Sequence, residues 1–313
     1  MGGETLSVIE FSQLIPDEEA ARAWFEDQRW GKTGRYCPRC GSTSTREASH
    51  KTMAYWCTDC RSYFSVRTNS LMERSNLPLL KWALGIYVHV THPKGISVSA
   101  FKEYVGVAQS TAWSMLHRIR EAYSTPPPPF EGPVEVDETY IGGKEKWKHA
   151  HKKHWHKGGP GDKTMVVGAR DRATGKVWAR VLEPLPVCSY YPTKKDQLRE
   201  FVARTTTADA MIYTDGELSY RALPHHEWVD HGRGEYVRGE VTTNGVESLW
   251  AAFKRRYVGT HHWVSDKHLQ RYVNEVCGRI NTKDLGTLDR MGYVVREMRG
   301  KRLPYRKLVG ETG

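Results

Sequence analysis

The sequence contains no long hydrophobic run and none of the signals that direct a chain into or onto a membrane. No stretch of about 18 consecutive apolar residues occurs among its 313 residues, which excludes a membrane-spanning helix. The N-terminal segment lacks the basic start and apolar block of a secretion signal, and no lipidation motif or basic amphipathic anchor is visible. We therefore expect a soluble, intracellular protein without a membrane partner.

Acidic residues are too few to balance the basic ones. The chain has 47 Lys and Arg residues against 36 Asp and Glu, which gives a formal net charge of +11. Because Lys and Arg release condensed counterions when they neutralise phosphates, this excess favours a nucleic acid as partner. The length suits about two domains, and an apolar fraction of 39% with 11 tryptophans suffices for packed cores.

Cysteine is also scarce, but four of the six cysteines are clustered as two C-x2-C pairs with 16 residues between them. This spacing is typical of zinc sites, and four thiolates leave no coordination position for water. The pattern therefore predicts a zinc ribbon with a structural Zn2+, whereas redox-active or merely buried cysteines fit it less well. The predicted ligands are Cys37, Cys40, Cys57 and Cys60; His50, between the pairs, is interpreted as a surface histidine.

Four consecutive prolines after residue 125 mark the clearest domain boundary, because they cannot continue a helix. Before them the pattern is mainly helical, and after them it changes to alternating strands and helices. We predict an N-terminal helical segment over 1–34, a zinc ribbon over 35–70, a helical region over 71–125, a proline-rich linker over 126–132, an α/β domain over 133–285 and a basic tail over 286–313.

The segment from residue 97 to 123 has the layout of a helix-turn-helix, with Gly106 at the turn and a second helix starting at Ser110 or Thr111. The alternative is a plain helical hairpin in which Trp113, Leu116 and Ile119 are core residues. The neighbouring zinc ribbon and the net charge favour DNA binding. Candidate contacts are Lys102, Gln109, Ser110, Thr111, Ser114, His117, Arg118 and Arg120.

Three acidic residues stand out in the second half of the chain. Asp137 lies inside a predicted strand, on the same face as Glu135, and Asp215 ends another strand, where open α/β sheets place ligand sites. Glu247 comes from an amphipathic helix that also carries Lys254. Three such carboxylates can converge on divalent cations, although each taken singly is more often a turn former or a solvated acid. Their spacing alone is not a motif.

Three segments together are similar to the catalytic segments of DDE-type bacterial transposases: VEVDETYIGGK, YTDGELSYRAL and the stretch from TTNGVESLWAAFKRRYVG to EVCGRIN. The chain most resembles the insertion-sequence family numbered 1595, over about residues 15 to 285. This family joins a zinc ribbon and a helical DNA-binding region to a ribonuclease H-like domain. The resemblance therefore implies an α/β fold with a mixed catalytic sheet.

The resemblance further implies that Asp137, Asp215 and Glu247 bind two Mg2+ or Mn2+ ions, with Lys254 near a phosphate. Some relatives have Asn at the third position, so Asn244 is the alternative to Glu247. The implied activity is cleavage at the terminal inverted repeats of a mobile element, followed by transfer of the 3′ ends into target DNA. A DNA-binding regulator and a nuclease on the same fold are the two alternative functions.

Partners implied by the resemblance are double-stranded DNA, at both transposon ends and target, and further copies of the chain in a homodimer or higher oligomer. The implied location is the bacterial cytoplasm, at the nucleoid. The basic loop over 142–163 could grip phosphates or be simply solvated. Additional candidate DNA contacts are Lys152 and Lys153 in this loop, and Arg255 and Arg256 after the third acid.

Overall fold

A computed structural model describes residues 3–142, 163–183, 193–216, 218–221 and 223–310. The chain divides into two compact units. The first consists of Met1–Thr125 together with Thr282–Gly313, and the second is Pro126–Asn281.

The first unit consists of packed helices and a small antiparallel sheet. Asp17 caps α2 by accepting a hydrogen bond from the Ala20 amide at 2.9 Å, as the sequence predicts. Ser7 and Glu10 form a capping box at the start of α1, a helix that the sequence pattern did not reveal. The helices are α1 (Val8–Leu14), α2 (Glu18–Trp30), α3 (Leu79–Thr91), α4 (Val98–Val105), α5 (Gln109–Ala122), α9 (Thr287–Glu297) and α10 (Tyr305–Val309).

The cysteine-rich segment forms a three-stranded antiparallel sheet of β1 (Thr45–Glu47), β2 (Tyr55–Cys57) and β3 (Ser62–Phe64). Tyr55 and Phe64 are buried against Trp30 of α2, with ring centroids 5.5 and 6.3 Å from the indole. Because each strand has only three residues, its own sheet supplies few contacts, and packing on α2 joins the ribbon to the helical core.

The two helices predicted between residues 97 and 123 are present as α4 and α5, with α5 beginning at Gln109. Ser97 caps α4, and Gly106 ends it with φ of +64°, a left-handed conformation that glycine adopts without steric cost. Phe101, Leu116 and Ile119 are fully buried, so the two helices pack through a shared apolar face against α3.

The C-terminal residues differ from the predicted basic tail. Residues 287–297 form α9, whose buried Met291, Val294 and Val295 join the core of the first unit. Leu303 and Leu308 are buried in the same core. The physical reason is an apolar stripe at helical spacing, which outweighs the basic composition of the segment.

The second unit is a five-stranded mixed sheet in the order β6-β5-β4-β7-β8, with helices on both faces. β4 pairs antiparallel with β5 and parallel with β7, which confirms the expected mixed α/β fold. The elements are β4 (Val134–Ile141), β5 (Thr164–Asp171), β6 (Val177–Val181), α6 (Lys194–Thr205), β7 (Ile212–Thr214), β8 (His226–Trp228), α7 (Asn244–Arg256) and α8 (Asp266–Asn281).

Alternation along β4 assigns its side chains to two different cores. Val134 and Val136 pack in the cluster that contains Leu198 and Phe201 of α6. Glu135 and Asp137 point to the opposite face, toward α7, as the predicted alternation requires. No helix in the described part of the chain is both long enough and apolar enough to cross a bilayer.

Candidate active site and metal centre

The four cysteines of the ribbon converge on one point. Their Sγ atoms all lie within 4.8 Å of one another, with 3.6 Å between Cys37 and Cys60 and between Cys40 and Cys57. A tetrahedral ion with Zn–S bonds of about 2.3 Å has S–S edges of roughly 3.8 Å, whereas a disulfide requires about 2.05 Å. The arrangement therefore fits a four-thiolate zinc centre and supports structural zinc.

Two tight turns hold these thiols. The residues after the second cysteine of each pair, Gly41 and Arg61, both have left-handed φ values, +80° and +50°. Backbone hydrogen bonds from Cys60 lower the pKa of Cys57 to about 7. Donors aimed at a sulfur stabilise the thiolate, which is the form that binds metal.

The sheet register brings two of the predicted acids level with each other. In the parallel pair of β4 and β7, Val134 lies beside Ile212 and Glu135 beside Tyr213. Both pairs are 78 positions apart, and the same offset separates Asp137 from Asp215. Extending this register by two residues would align Asp137 with Asp215, which directly follows β7, and the charge of Asp215 does act on Asp137.

Burial and like charge act together on Asp137. Burial, then the charge of Asp215, then that of Glu138, raise the pKa of Asp137 to about 7. Its Oδ1 accepts a hydrogen bond from the Glu138 amide at 2.8 Å, and its Oδ2 accepts one from Trp250 Nε1 at 2.9 Å. Neighbouring carboxylates that repel one another in a partly buried site fit a divalent cation, which would remove the repulsion.

Glu138 is a third acid of this site that sequence reasoning did not select. It accepts hydrogen bonds from Tyr220 Oη at 2.8 Å and from Lys194 Nζ at 3.0 Å. Burial raises the pKa of Glu138, against the opposing effect of Lys194. Its position directly after Asp137 is the only sequence signal, and alternation had assigned it to the other face of the strand.

Glu135 fastens α7 to the sheet. Its Oε2 accepts from the Val246 amide in the first turn of α7 at 2.8 Å, and its Oε1 accepts from Arg172 Nε at 2.7 Å. Arg172 also donates to the carbonyls of Glu240 and Thr242, at 2.5 and 2.8 Å. A β-carbon on Gly245 would lie 1.8 Å from Arg170 Nη1 and 2.4 Å from Glu135 Oε2, so a larger residue there would have to displace these two side chains.

Trp250 of α7 is a further site residue that the sequence argument treated only as an apolar neighbour. Its ring covers Gly168 of β5, which lies directly opposite Asp137 in the antiparallel register. A β-carbon on Gly168 would come within 2.7 Å of the indole. The small residue therefore makes the space through which Trp250 reaches Asp137.

The remaining residues of the predicted catalytic set lie along α7. Glu247 is exposed, and its Oε1 accepts a hydrogen bond from Thr243 Oγ1 at 3.3 Å. Asn244 and Lys254 are also exposed. Among the described residues, only the four cysteines bring three or more ligand atoms within metal-binding distance, so Glu247 does not close on the two aspartates in this conformation.

Several of the predicted DNA contacts are exposed or half-buried side chains that could reach a ligand. Gln109 and Ser110 are exposed at the start of α5, Thr111, Ser114 and Lys102 are half-buried, and Lys102 pairs with Glu103 at 3.2 Å. Arg255 is exposed. Lys152 and Lys153, like the rest of their loop between 143 and 162, lie outside the described residues.

Four of the candidates are corrected by the structure. His117 and Arg120 are fully buried inside the first unit and cannot reach a ligand. Arg118 donates to the carbonyl of Leu71 at 3.0 Å, and burial lowers its pKa. Arg256 is half-buried, and burial lowers its pKa as well. His117 and Arg120 face inward because α5 packs against α3, α4 and α9.

The chain matches two protein families. Residues 129–281 match the ISXO2-like transposase domain, and residues 16–62 match the transposase zinc-ribbon domain. The chain is also similar to an uncharacterized protein in the transposable element ISH50 of Halobacterium salinarum, at 31% identity over 260 residues, which is 78% of this chain and 84% of the relative. The chain belongs to the insertion-sequence transposase family numbered 1595.

Membership in this transposase family confirms the resemblance found in the sequence and makes the protein one of a family of nucleic-acid-processing enzymes. Both domain families imply DNA binding. The zinc-ribbon match covers all four cysteines of the metal centre, and the transposase-domain match covers Asp137, Asp215 and Glu247.

Loss of the Glu135 carboxylate should destabilise the second unit of the transposase. Glu135→Ala would leave Arg172 without its buried partner and the Val246 amide unsatisfied, which we expect to cost about 3 kcal/mol of unfolding free energy. Urea unfolding measures this change. Glu240→Ala, which removes an exposed carboxylate from the loop before α7 and keeps the backbone carbonyl that accepts from Arg172, should change stability by less than about 0.5 kcal/mol. Equal losses in both variants would contradict the anchoring role.

The raised pKa of Asp137 predicts how stability depends on pH. Its folded value of about 7 exceeds its ordinary value of 3.8, so between these pH values the folded chain keeps a proton that the unfolded chain releases. Folding of the second unit is therefore favoured by acid, and this stabilisation is lost as the pH rises from about 4 to about 7.

Urea unfolding without added divalent cations, at about pH 5 and about pH 8, checks this dependence. The difference between wild type and Asp137→Asn isolates the effect of Asp137, since the lowered pKa of His226 acts in the opposite direction. An identical pH slope in the two proteins would show that Asp137 is not the titrating group.

Proposed function

We propose that this transposase binds the terminal inverted repeats of an insertion sequence, cleaves DNA at those ends and transfers the 3′ ends into target DNA. The observation that carries the proposal is the proximity of Asp215, which directly follows β7, to the buried Asp137, because burial and the charge of Asp215 together raise the pKa of Asp137 to about 7. A catalytic domain of the transposase family surrounds this pair.

Asp137 and Asp215 are the proposed ligands of Mg2+ or Mn2+. When bound, two such ions activate an attacking oxygen and stabilise the leaving oxygen of a phosphodiester. Trp250 and the Glu138 amide hold the two oxygens of Asp137 in fixed directions, so that the carboxylate is oriented before the metal arrives. Glu138, held by Tyr220 and Lys194, places a further carboxyl group beside the pair.

Glu247 is the proposed third ligand. It precedes Trp250 by three residues, so the two side chains lie on neighbouring turns of one helix face, and Trp250 already contacts Asp137. Asn244 lies three residues earlier on the same face and is the alternative ligand. A carboxylate is preferred because Mg2+ binds anionic oxygen more strongly than an amide oxygen. Rotation of the exposed Glu247 side chain, or cation binding itself, would bring it to the pair.

DNA would be held by basic and polar groups in both units. Gln109 and Ser110 are exposed at the N-terminus of α5, where a recognition helix meets base edges and phosphates. Lys254 and Arg255 are exposed on α7, two turns beyond Glu247, and suit contacts with the cleaved strand. A homodimer or higher oligomer is proposed for the DNA complex because two ends must be joined.

The test uses the DNA that flanks the coding sequence, trimmed to its inverted repeats. Purified transposase with Mg2+ should nick these ends and join them to target DNA, and Glu247→Gln should lower both reactions by about 100-fold or more. Asn244→Ala is the matched control on the same helix face. If Asn244→Ala loses activity and Glu247→Gln keeps it, Asn244 is the third ligand.

Two other outcomes would replace the proposed function. Nicking without joining, in the presence of target DNA, would identify a nuclease on the same fold. Specific binding of the repeats without any Mg2+- or Mn2+-dependent cleavage would identify a DNA-binding regulator.

A further inference from the structure

The side of the ribbon sheet that points away from the core carries three side chains in register. Arg46 lies opposite Trp56, and Trp56 lies opposite Tyr63, so all three share one face. The alternate residues Tyr55, Cys57 and Phe64 are buried on the other face. Because the solvent face of an antiparallel sheet is usually polar, two aromatic rings there call for a specific cause.

The rings form a continuous, preformed surface. The ring centroids of Trp56 and Tyr63 are 4.6 Å apart at 66°, and His50 lies 4.9 Å from Tyr63 at 37°. His50 Nδ1 accepts hydrogen bonds from the amides of Thr52 and Met53, at 3.2 and 3.1 Å. These bonds fix the imidazole at the hairpin tip. We call Arg46, His50, Trp56 and Tyr63 the aromatic face.

The charge around the aromatic face is positive. Lys51 and Arg61 are exposed at its two ends, and Arg46 is exposed within it. These three basic residues outnumber the two acids of the ribbon. Glu47 alternates onto the other face of β1, and Asp59 accepts a hydrogen bond from Ser42 at 2.6 Å. Aromatic side chains surrounded by basic residues suit a partner that carries both negative charge and flat, accessible rings.

We infer that the aromatic face binds unpaired DNA bases by stacking, while Arg46, Lys51 and Arg61 neutralise the adjoining phosphates. Bases in a duplex already cover one another, so exposed protein rings gain little from them, whereas an unpaired base offers both of its faces. The inference rests on the proposed function, because a reaction that cuts and joins strands exposes unpaired nucleotides near the ends that the transposase holds.

Fluorescence anisotropy tests the inference by measuring the affinity of the zinc-loaded full-length protein for a labelled thymidine oligonucleotide. The same measurement with a labelled duplex of equal length gives the comparison. Tyr63→Leu keeps the apolar contact with Trp56 but removes the stacking ring, and should weaken oligonucleotide binding about tenfold. Tyr63→Phe should bind like wild type. Duplex binding should change little in either variant, and each variant should retain its zinc.

Tyr305→Ala is the matched control, because Tyr305 is 67% exposed in the same unit and Tyr63 is 45% exposed. Equal oligonucleotide binding by Tyr63→Leu and Tyr63→Phe would overturn the inference. So would an equal loss of duplex and oligonucleotide binding, which would indicate a phosphate-binding or protein-binding surface without base stacking.

Crosslinking tests the same inference with wild-type protein, so no substitution that could disturb folding is needed. Irradiation of wild type with an oligonucleotide carrying a photoreactive pyrimidine should label peptides that contain Trp56 or Tyr63, and labelling confined to other peptides would contradict the inference. Neither assay requires cleavage. A transposase that binds unpaired DNA here but never cleaves would leave this inference standing and remove the proposed function.

Discussion

Removal of the ribbon metal should unfold residues 35 to 64 and destabilise the first unit as a whole. The ribbon sheet has strands of only three residues, so most of its stability must come from ligation of the four cysteines. A structural zinc contributes on the order of 10 kcal/mol to a module of this kind. Tyr55 and Phe64 would then leave the surface of Trp30, which exposes part of the core of the first unit.

Thermal unfolding with and without a strong chelator measures this effect, together with the zinc content of each protein. Cys57→Ser should lose the metal and lower the melting temperature of the first unit by more than about 10 °C. Cys277→Ala is the control, because Cys277 is buried in the second unit and is not one of the four zinc ligands. The Cys277→Ala protein should keep one zinc per chain. A Cys57→Ser protein that retains both zinc and stability would refute the metal centre.

Asp137→Asn should abolish DNA cleavage while leaving the fold intact or more stable. An amide is a poor Mg2+ ligand, and loss of several kcal/mol of transition-state stabilisation corresponds to a rate decrease on the order of 1,000-fold or more. The amide oxygen can still accept the hydrogen bond from Trp250. Repulsion from Asp215 and Glu138 disappears, so unfolding free energy at neutral pH should rise or stay equal.

Cleavage of end-containing DNA and urea unfolding, measured on the same preparations, check both halves of this prediction. Asp209→Asn removes an exposed carboxylate just before β7 and should alter neither quantity. A parallel loss of activity and stability in Asp137→Asn would mean that the carboxylate is structural, and full activity would exclude it from the metal site.

Several features could be derived from the sequence because their signals are local. The alternation from 134 to 141 gave the limits of β4, and the capping position of Asp17 gave the start of α2. The two C-x2-C pairs predicted a ligand cluster that the structure brings together. Alternation also assigned Glu135 and Asp137 to one face of β4, which α7 covers.

Other features depend on partners that are distant in the chain. The burial of His117 and Arg120 depends on the packing of α5 against several helices, including α9, which is more than 160 residues away along the sequence. The stripe of Met291, Val294 and Val295 had the right helical spacing, but the surrounding basic residues led to the prediction of a tail. Burial of a charged side chain on one helix cannot be read from that helix alone.

The sequence by itself determined the chemistry available to this transposase: four thiols at zinc spacing, aspartates at strand positions and a basic surface. The tertiary structure decided which of these groups meet. Parallel pairing of β4 with β7 at an offset of 78 residues brings the charge of Asp215 to bear on Asp137, and Gly168 leaves room for the Trp250 ring of α7. The physical reason is that strand register and close backbone approach are set by contacts between distant segments, for which a single segment carries no local signal.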